Sequence, residues 1–251
     1  MWEDDKIMGL QQFQLPHIQH QQFSQSIAKY LRLGKLAERF VFEELSTIEG
    51  LEILSESLQI QDGKRTIGEL DGLIIYKNQP IHLEIIYKFY LYDDSVGTTE
   101  IEHWIGPNRK DSFTQKLEKL SQKQLPLLYT SQCETALATF NLTPKDFVQQ
   151  VYFKAQLFVP FSKRTLTLKQ VNPACVVGVY VNRNEFETLS ECKFFIPEKV
   201  DWLLAIETQS HWKTFQQIST EINTLLDKEI APLCWIKYPN GETEKCFIVW
   251  W

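Results

Sequence analysis

The stretch whose reading decides the fold runs from Thr66 to Leu91, TIGELDGLIIYKNQPIHLEIIYKFYL. Apolar residues crowd both of its halves, and Lys77-Asn78-Gln79-Pro80 between them has the composition of a turn. Arg65–Tyr76 and Ile81–Tyr92 therefore read as a pair of long antiparallel strands. Side chains on a strand alternate between faces, so residues two apart point the same way. Glu69 and Asp71 share a face by this rule, and His82, Glu84 and Lys88 share one on the next strand. Pairing across the turn places three carboxylates and a lysine side by side, while Ile74, Ile75, Ile81, Leu83, Ile85 and Phe89 anchor the strands in a core. Carboxylates crowded on a half-buried sheet repel one another unless a cation neutralises them. That is the physical case for Mg²⁺ or Mn²⁺ on oxygen ligands, with Lys88 positioned to orient a water or offset charge on a phosphoryl oxygen. The same alternation also describes a solvated face on which Glu84 and Lys88 form a surface ion pair worth less than about 1 kcal/mol.

Working outward, helical spacing marks Ser24 to Thr47 through Ile27, Tyr30, Leu31, Leu36, Phe40, Val41 and Leu45, with Gly34 dividing two helices. Leu51–Ile53 and Leu58–Ile60 read as the first strand, and Asp62-Gly63 as a hairpin turn. After a polar loop, Asp111 to Gln124 reads as a helix with Phe113, Leu117 and Leu120 on its apolar stripe and Pro126 at its close. Thr143 and Pro144 suggest the start of another helix reaching about Val151. Beyond Phe153 the texture changes to short strands at Gln156–Val159, Val176–Val181, Lys193–Ile196, Leu233–Tyr238 and Cys246–Trp251, interrupted by a helix over Phe215–Leu226. The expected fold is α/β: a Gln-rich lead-in (1–23), a core with a mixed central sheet flanked by helices (24–151), and a C-terminal α+β lobe packed on it (152–251).

Composition narrows the function classes. With 43% hydrophobic residues in 251, the chain can build a sizeable core. Lys+Arg 26 against Asp+Glu 32 leaves a net charge of −6, so no global positive field draws it onto a polyanion. Five widely spaced cysteines form no CxxC pair, and the acidic N-terminus lacks the apolar run of a secretory signal, so a cytoplasmic protein without a membrane span is expected. His17 and His20 lack a third ligand, and neither a GxxxxGK[ST] nor a GxGxxG phosphate cradle occurs. The charge balance reverses locally, however. Lys110, Lys116, Lys119 and Lys123 cluster just beyond the strand pair, the last three at helical spacings of three and four, as a stripe able either to track phosphates or simply to be solvated.

Thr66-Ile-Gly-Glu-Leu-Asp71, followed by His82-Leu-Glu84 and Lys88-Phe-Tyr-Leu91, resembles the core signature of the PD-(D/E)xK nuclease superfamily. More closely it resembles a bacterial domain-of-unknown-function family placed there, with TxGExDxL followed by HxExxxKFYL. Trp104-Ile-Gly106-Pro107, then Asp111, Lys116 and Gln124-Leu125, are similar to that family's downstream pattern, so the likeness spans Gly34 to Leu125. Weaker cues are Asn172-Pro173 and Lys199-Val-Asp201-Trp202. The resemblance implies a restriction-endonuclease-like core and metal-dependent phosphodiester hydrolysis of DNA, or else RNA. It implies Asp71 and Glu84 as ligands of Mg²⁺ or Mn²⁺, joined by Glu38 from the opening helix and the main-chain carbonyl of Ile85, with Lys88 as the catalytic lysine. Glu69 then serves as a charge partner of Lys88, and His82 as a hydrogen-bonder to a ligand carboxylate. The chain departs from the superfamily at Ile86, which stands where the lysine normally falls. Two alternatives stand beside this expectation: a catalytically silent nuclease fold that binds nucleic acid or a protein partner, and hydrolysis of a small phosphorylated ligand.

Overall fold

A computed structural model of the chain describes residues 1–2, 6–7, 9–16 and 31–251. The helix expected before Gly34, together with His17 and His20, lies outside the described residues. Two compact units emerge, one from residues 2–87 with 115–154 and the other from residue 1 with 88–114 and 155–251. Residues 88–114 group with the C-terminal part.

The first unit is built on the long hairpins. After a small ribbon of β1 (Lys6–Ile7) and β2 (Leu10–Gln11), helix α1 (Leu33–Ser46) leads into β3 (Leu51–Asp62), β4 (Arg65–Tyr76) and the first part of β5 (Gln79–Tyr92). Gly34 sits in the first turn of α1. β3 pairs antiparallel with β4 from Leu51↔Tyr76 to Asp62↔Arg65. β4 pairs with β5 only from Tyr76↔Gln79 to Gly72↔Leu83, after which the two strands part. Lys77 and Asn78 both take positive φ, 51° and 61°, the primed geometry whose twist suits a two-residue hairpin.

Two apolar layers enclose these strands. Phe42, Leu45 and Ile48 from α1 and the turn after it pack with Ile74, Ile81, Leu83 and Ile85. Leu127, Leu128, Cys133, Leu137 and Phe147 pack with Ile60, Leu70 and Leu73. The second set comes from a 3₁₀ turn (Leu125–Tyr129), α3 (Ser131–Leu137), which sequence reading missed, and the loop beyond it. The expected helix over Asp111–Gln124 appears as α2 (Phe113–Lys119) followed by a π turn (Leu120–Gln124), and Pro126 opens the next turn instead of closing this one. The helix expected from Thr143 to Val151 is a single 3₁₀ turn, Pro144–Asp146. Thr143 and Asp146 do form a capping box, but Val148-Gln-Gln-Val-Tyr-Phe153, mostly β-branched and aromatic, then enters strand β7 (Val148–Pro160). A cap specifies only a start, and the residues after it decide the element.

Strict alternation fails at one place in β4. Leu70 and Leu73 join the same apolar layer although they are three residues apart, and Ile74 joins the other. Between them Gly72 abuts Phe42 of α1, whose ring lies 2.9 Å from where a Cβ would stand, and Asp71 also turns toward α1, beside Glu38. Two successive residues therefore face the helix. β3 matches the irregularity opposite, where Glu56 lies beside Arg39 and Phe42, and Ser57, at φ 51°, accepts a hydrogen bond from Lys35 of the helix.

The second unit carries a mixed sheet in the order β10-β9-β11-β12-β8-β7. Its strands are the second part of β7, β8 (Val176–Asn182), β9 (Lys193–Phe195), β10 (Lys213–Thr214), β11 (Leu233–Lys237) and β12 (Thr243–Val249). β8 runs parallel to both β7 and β12, while the remaining pairs are antiparallel. Helix α4 (Phe215–Asp227) carries Ile218, Ile222 and Leu226 on its buried stripe, and β6 (Trp104–Ile105) pairs with the end of β5. The chain is thus α/β, with an antiparallel sheet flanked by helices in one unit and a mixed sheet in the other. No helix among the described residues is long and apolar enough to cross a membrane.

Gly72→Val tests the close approach of α1. The added side chain meets Phe42 in a packed layer and is expected to cost about 1–3 kcal/mol in chemical denaturation, part of which Phe42→Leu recovers in the double variant. Additive effects of the two substitutions would show that the contact is not the constraint.

Candidate functional site

Asp71 sits where β4 leaves β5, 9% exposed. Its Oδ2 accepts the backbone N–H of Ile85 at 3.0 Å, so the carboxylate takes the place of the next rung of the ladder. Glu84 lies close by, and its charge bears on Asp71. On the other side of Asp71 stand Glu38 from α1 and Glu69 from β4, and one oxygen from each of these three residues lies within 4.8 Å of the others. Asp71 is thus the centre of a run of four carboxylates, with Glu38 and Glu69 to one side and Glu84 to the other.

The surroundings of Glu84, 0% exposed, fix it tightly. Its Oε1 meets His82 Nε2 at 3.1 Å, and its Oε2 accepts from the side-chain amide of Gln124. Gln149 of β7 settles the histidine's tautomer. Its Nε2 donates to the carbonyl of Leu125 at 2.6 Å, which orients the amide, and to His82 Nδ1 at 2.9 Å. His82 Nδ1 is therefore the acceptor, and Nε2–H donates to Glu84. Burial lowers His82 to a pKa of about 4, keeping the ring neutral as this arrangement requires. Gln124 reaches the site through the π turn. Around an ideal α-helix of 3.6 residues per turn, positions eight apart are offset by roughly 80°, and the extra residue of a π turn brings them roughly into line. Lys116 Nζ accordingly donates to Gln124 Oε1 at 2.7 Å, and its charge bears on both Asp71 and Glu84.

Lys35 is the second cation. Its Nζ bonds Glu38 at 2.7 Å, Ser57 Oγ at 3.3 Å, and Glu69. Burial alone would lower its pKa, but Glu38 and Glu69 together raise it. Four carboxylates face two lysines, a formal excess of two negative charges when all are ionised. The site answers the excess with protons. Burial first, and Glu84 second, push Asp71 up to about 7. Burial pushes Glu84 to about 7 against the opposing charge of Lys116, and it raises Glu38 against the pull of Lys35.

The residues singled out in the sequence now have places. Glu38, Glu69, Asp71, His82 and Glu84 come together, and His82 does hydrogen-bond Glu84. Glu69 belongs inside the carboxylate run and pairs with Lys35, not with Lys88. Lys88 is bonded to Asp111 at 2.6 Å. Ile86, where the superfamily lysine falls, is buried. The expected lysine stripe divides: Lys116 turns in toward Gln124, whereas Lys110, Lys119 and Lys123 are exposed. Sequence reading missed Lys35, for which the spacing of three to Glu38 was the available signal, and Gln149, which carried none.

The chain belongs to the DUF1853 family, a domain of unknown function, whose family model matches residues 8–249. No curated protein and no solved structure matches it.

Proton uptake by the buried pair makes stability depend on pH. Asp71 and Glu84 rise from 3.8 and 4.5 to about 7, so the fold favours their neutral forms. Their contribution is present in full below about pH 4 and is lost as pH rises through 7. Asp71→Asn keeps an acceptor for Ile85 but removes one charge. With chelator present, the variant is expected to gain about 1–3 kcal/mol over wild type at pH 8 and little at pH 4.5, read as the difference in chemical denaturation. An equal difference at both pH values would show that Asp71 is not held up by its surroundings.

Proposed function

We propose that the protein is a metal-dependent phosphodiester hydrolase of the PD-(D/E)xK type acting on nucleic acid, DNA in the first instance. One observation carries the reading: three carboxylates, Glu38, Glu69 and Glu84, gather around that of Asp71 at a strand fork with two lysines among them. The residual charge of two matches one divalent cation, and a donor set made of oxygens suits Mg²⁺ or Mn²⁺. Asp71 and Glu84 would hold it, with Glu38 and Glu69 available beside Asp71. When bound, such a cation supplies Lewis acidity to a phosphoryl oxygen and makes a coordinated water more acidic.

The chain's own residues supply the rest. His82 and Gln124 occupy one lone pair on each Glu84 oxygen and so fix the carboxylate's orientation. Lys116, steered by Gln124 toward the buried carboxylates, is the cation placed to offset charge that builds on phosphorus oxygens as water adds and the P–O ester bond breaks. This assigns to Lys116 the role that the sequence offered to Lys88, whose ammonium is engaged by Asp111. Exposed Lys119 and Lys123, on the same helical stretch, are suited to contacts with phosphates on either side of the scissile bond.

A specific observation favours a second reading. Lys35 already bridges Glu38 and Glu69, so an internal cation neutralises part of the cluster, as a silent nuclease fold that only binds nucleic acid would require. The two readings separate in a cleavage assay on linear, branched and single-stranded DNA, and on RNA, with Mg²⁺ or Mn²⁺. Metal-dependent cleavage by wild type is expected to fall at least about 100-fold in Asp71→Asn and Glu84→Gln and about 10- to 100-fold in Lys116→Met. Lys88→Met is expected to stay within about threefold of wild type. Retention of DNA with no cleavage under any metal selects the silent binder, and cleavage that survives both carboxylate substitutions rejects the site.

A further inference from the structure

A second buried charge lies in the other unit. Lys245 of β12 is 7% exposed, and Phe247, two residues on, packs edge-on against Trp202, whose ring centre is 5.2 Å away. The ammonium donates to Gln156 Oε1 at 2.9 Å and to the carbonyl of Trp202 at 2.8 Å, both neutral acceptors. No carboxylate among the described residues forms an ion pair with it. The adjacent Glu244 is taken by Arg164 and Tyr238. Burial lowers Lys245 to about 8 with no compensating charge. A buried ammonium without a counter-ion is costly, and such groups are held where something supplies the missing charge.

Lys245 and Gln156 line a cleft of about 370 Å³, within the range of small-molecule sites. The remaining wall is Val177, Leu203, Leu204, Ala205 and Ile206, with Thr243 and with Glu244, whose carboxylate is neutralised by Arg164. Val177 and Leu204 leave 40% and 46% of their surface to water, among the few large apolar side chains that do. An open apolar cleft that ends on a buried, unpaired cation is complementary to one kind of molecule, an apolar body bearing a single carboxylate.

We propose that this cleft binds a small amphiphilic carboxylate, its head on Lys245 and its tail along Val177, Leu204 and Ile206. The carboxylate accepts the ammonium N–H left over after Gln156 and Trp202 and completes a charge-assisted pair in a partly desolvated place. The tail covers apolar surface that the fold leaves open. The site is independent of the carboxylate cluster around Asp71 and stands whether or not that cluster hydrolyses nucleic acid.

Calorimetric titration of the full chain with sodium octanoate, beside octan-1-ol as the uncharged control, tests the site. Saturable 1:1 binding of octanoate is expected, at least about tenfold tighter than the alcohol. Lys245→Met is expected to erase the difference between the two probes, and Leu204→Trp, which fills the cleft without touching the ammonium, to weaken octanoate about tenfold or more. The comparison of probes on wild type needs no variant, so a misfolded Lys245→Met does not spoil it. Absence of saturable octanoate binding, equal affinity for acid and alcohol, or octanoate binding that survives Lys245→Met each overturns the proposal. So does a concentration-dependent dimer that Leu204→Trp abolishes while octanoate fails to compete, since the cleft is then a contact between copies.

Discussion

The hydrogen bond from the Ile85 amide to Asp71 is the constraint on which the first unit depends. β4 and β5 part after Gly72↔Leu83, and a β5 amide left bare there would be a buried donor without a partner. Asp71 satisfies it with a side chain, which fixes the carboxylate at the fork, beside Glu84. The site and the sheet are thereby one structure. Removing the acceptor opens the ladder as well as the site, whereas an amide at the same position keeps the ladder and changes only the charge.

From that fixed point the charges take their places in order. A carboxylate held at the fork meets groups from both sides of the sheet, so Glu38 and Glu69 approach it from α1's side and Glu84 from the side lined by Gln124 and Gln149. Each flank brings its own cation, Lys35 or Lys116, and neither cancels all the charge it meets. Surface pairs of this kind would be worth little. Here burial, helped at Asp71 by the charge of Glu84, pushes two carboxyl groups up to about 7, and the neutral His82 adds orientation without adding charge. The network around Glu84 is satisfied at every link from Leu125 to Gln149 to His82, which is what keeps a buried polar chain rigid.

The parts of this that were legible in the sequence are those governed by short-range rules. The strands expected at Arg65–Tyr76 and Ile81–Tyr92, pairing across a turn at Lys77–Pro80, are β4 and β5, with β5 starting two residues earlier at Gln79, and Asp71 and Glu84 are neighbours as that pairing implied. The rule of alternation erred where the chain breaks it. Asp71 and Gly72 both face α1, an inversion that arises from Phe42 pressing on Gly72 and from the kink at Ser57, and no local pattern announces either. Charge partners were harder still. The resemblance matched Lys88 on one strand to Glu69 on the other, but a lysine's reach lets other elements compete, and Lys35 and Asp111 won. The π turn that aligns Lys116 with Gln124 is invisible to a reading that assumes 3.6 residues per turn. Thr143 offered a genuine cap, yet the β-branched and aromatic residues after it enter β7.

Net charge shows why burial, more than composition, carries the functional information. A sum of −6 over the chain treats every ionised group alike, but exposed charges more than about 10 Å apart are screened from one another at 0.1 M salt. The groups that escape screening are few and of opposite sign: an excess of two negative charges around Asp71 in one unit, and the single positive charge of Lys245 in the other. Neither imbalance serves folding, since two protonatable carboxyls and an unpaired ammonium both cost stability that apolar residues of similar size would not. A chain that keeps both costs is paying for something other than its own stability. The sign of each imbalance is the ground of the two proposals, a cation at the strand fork and an anion in the cleft.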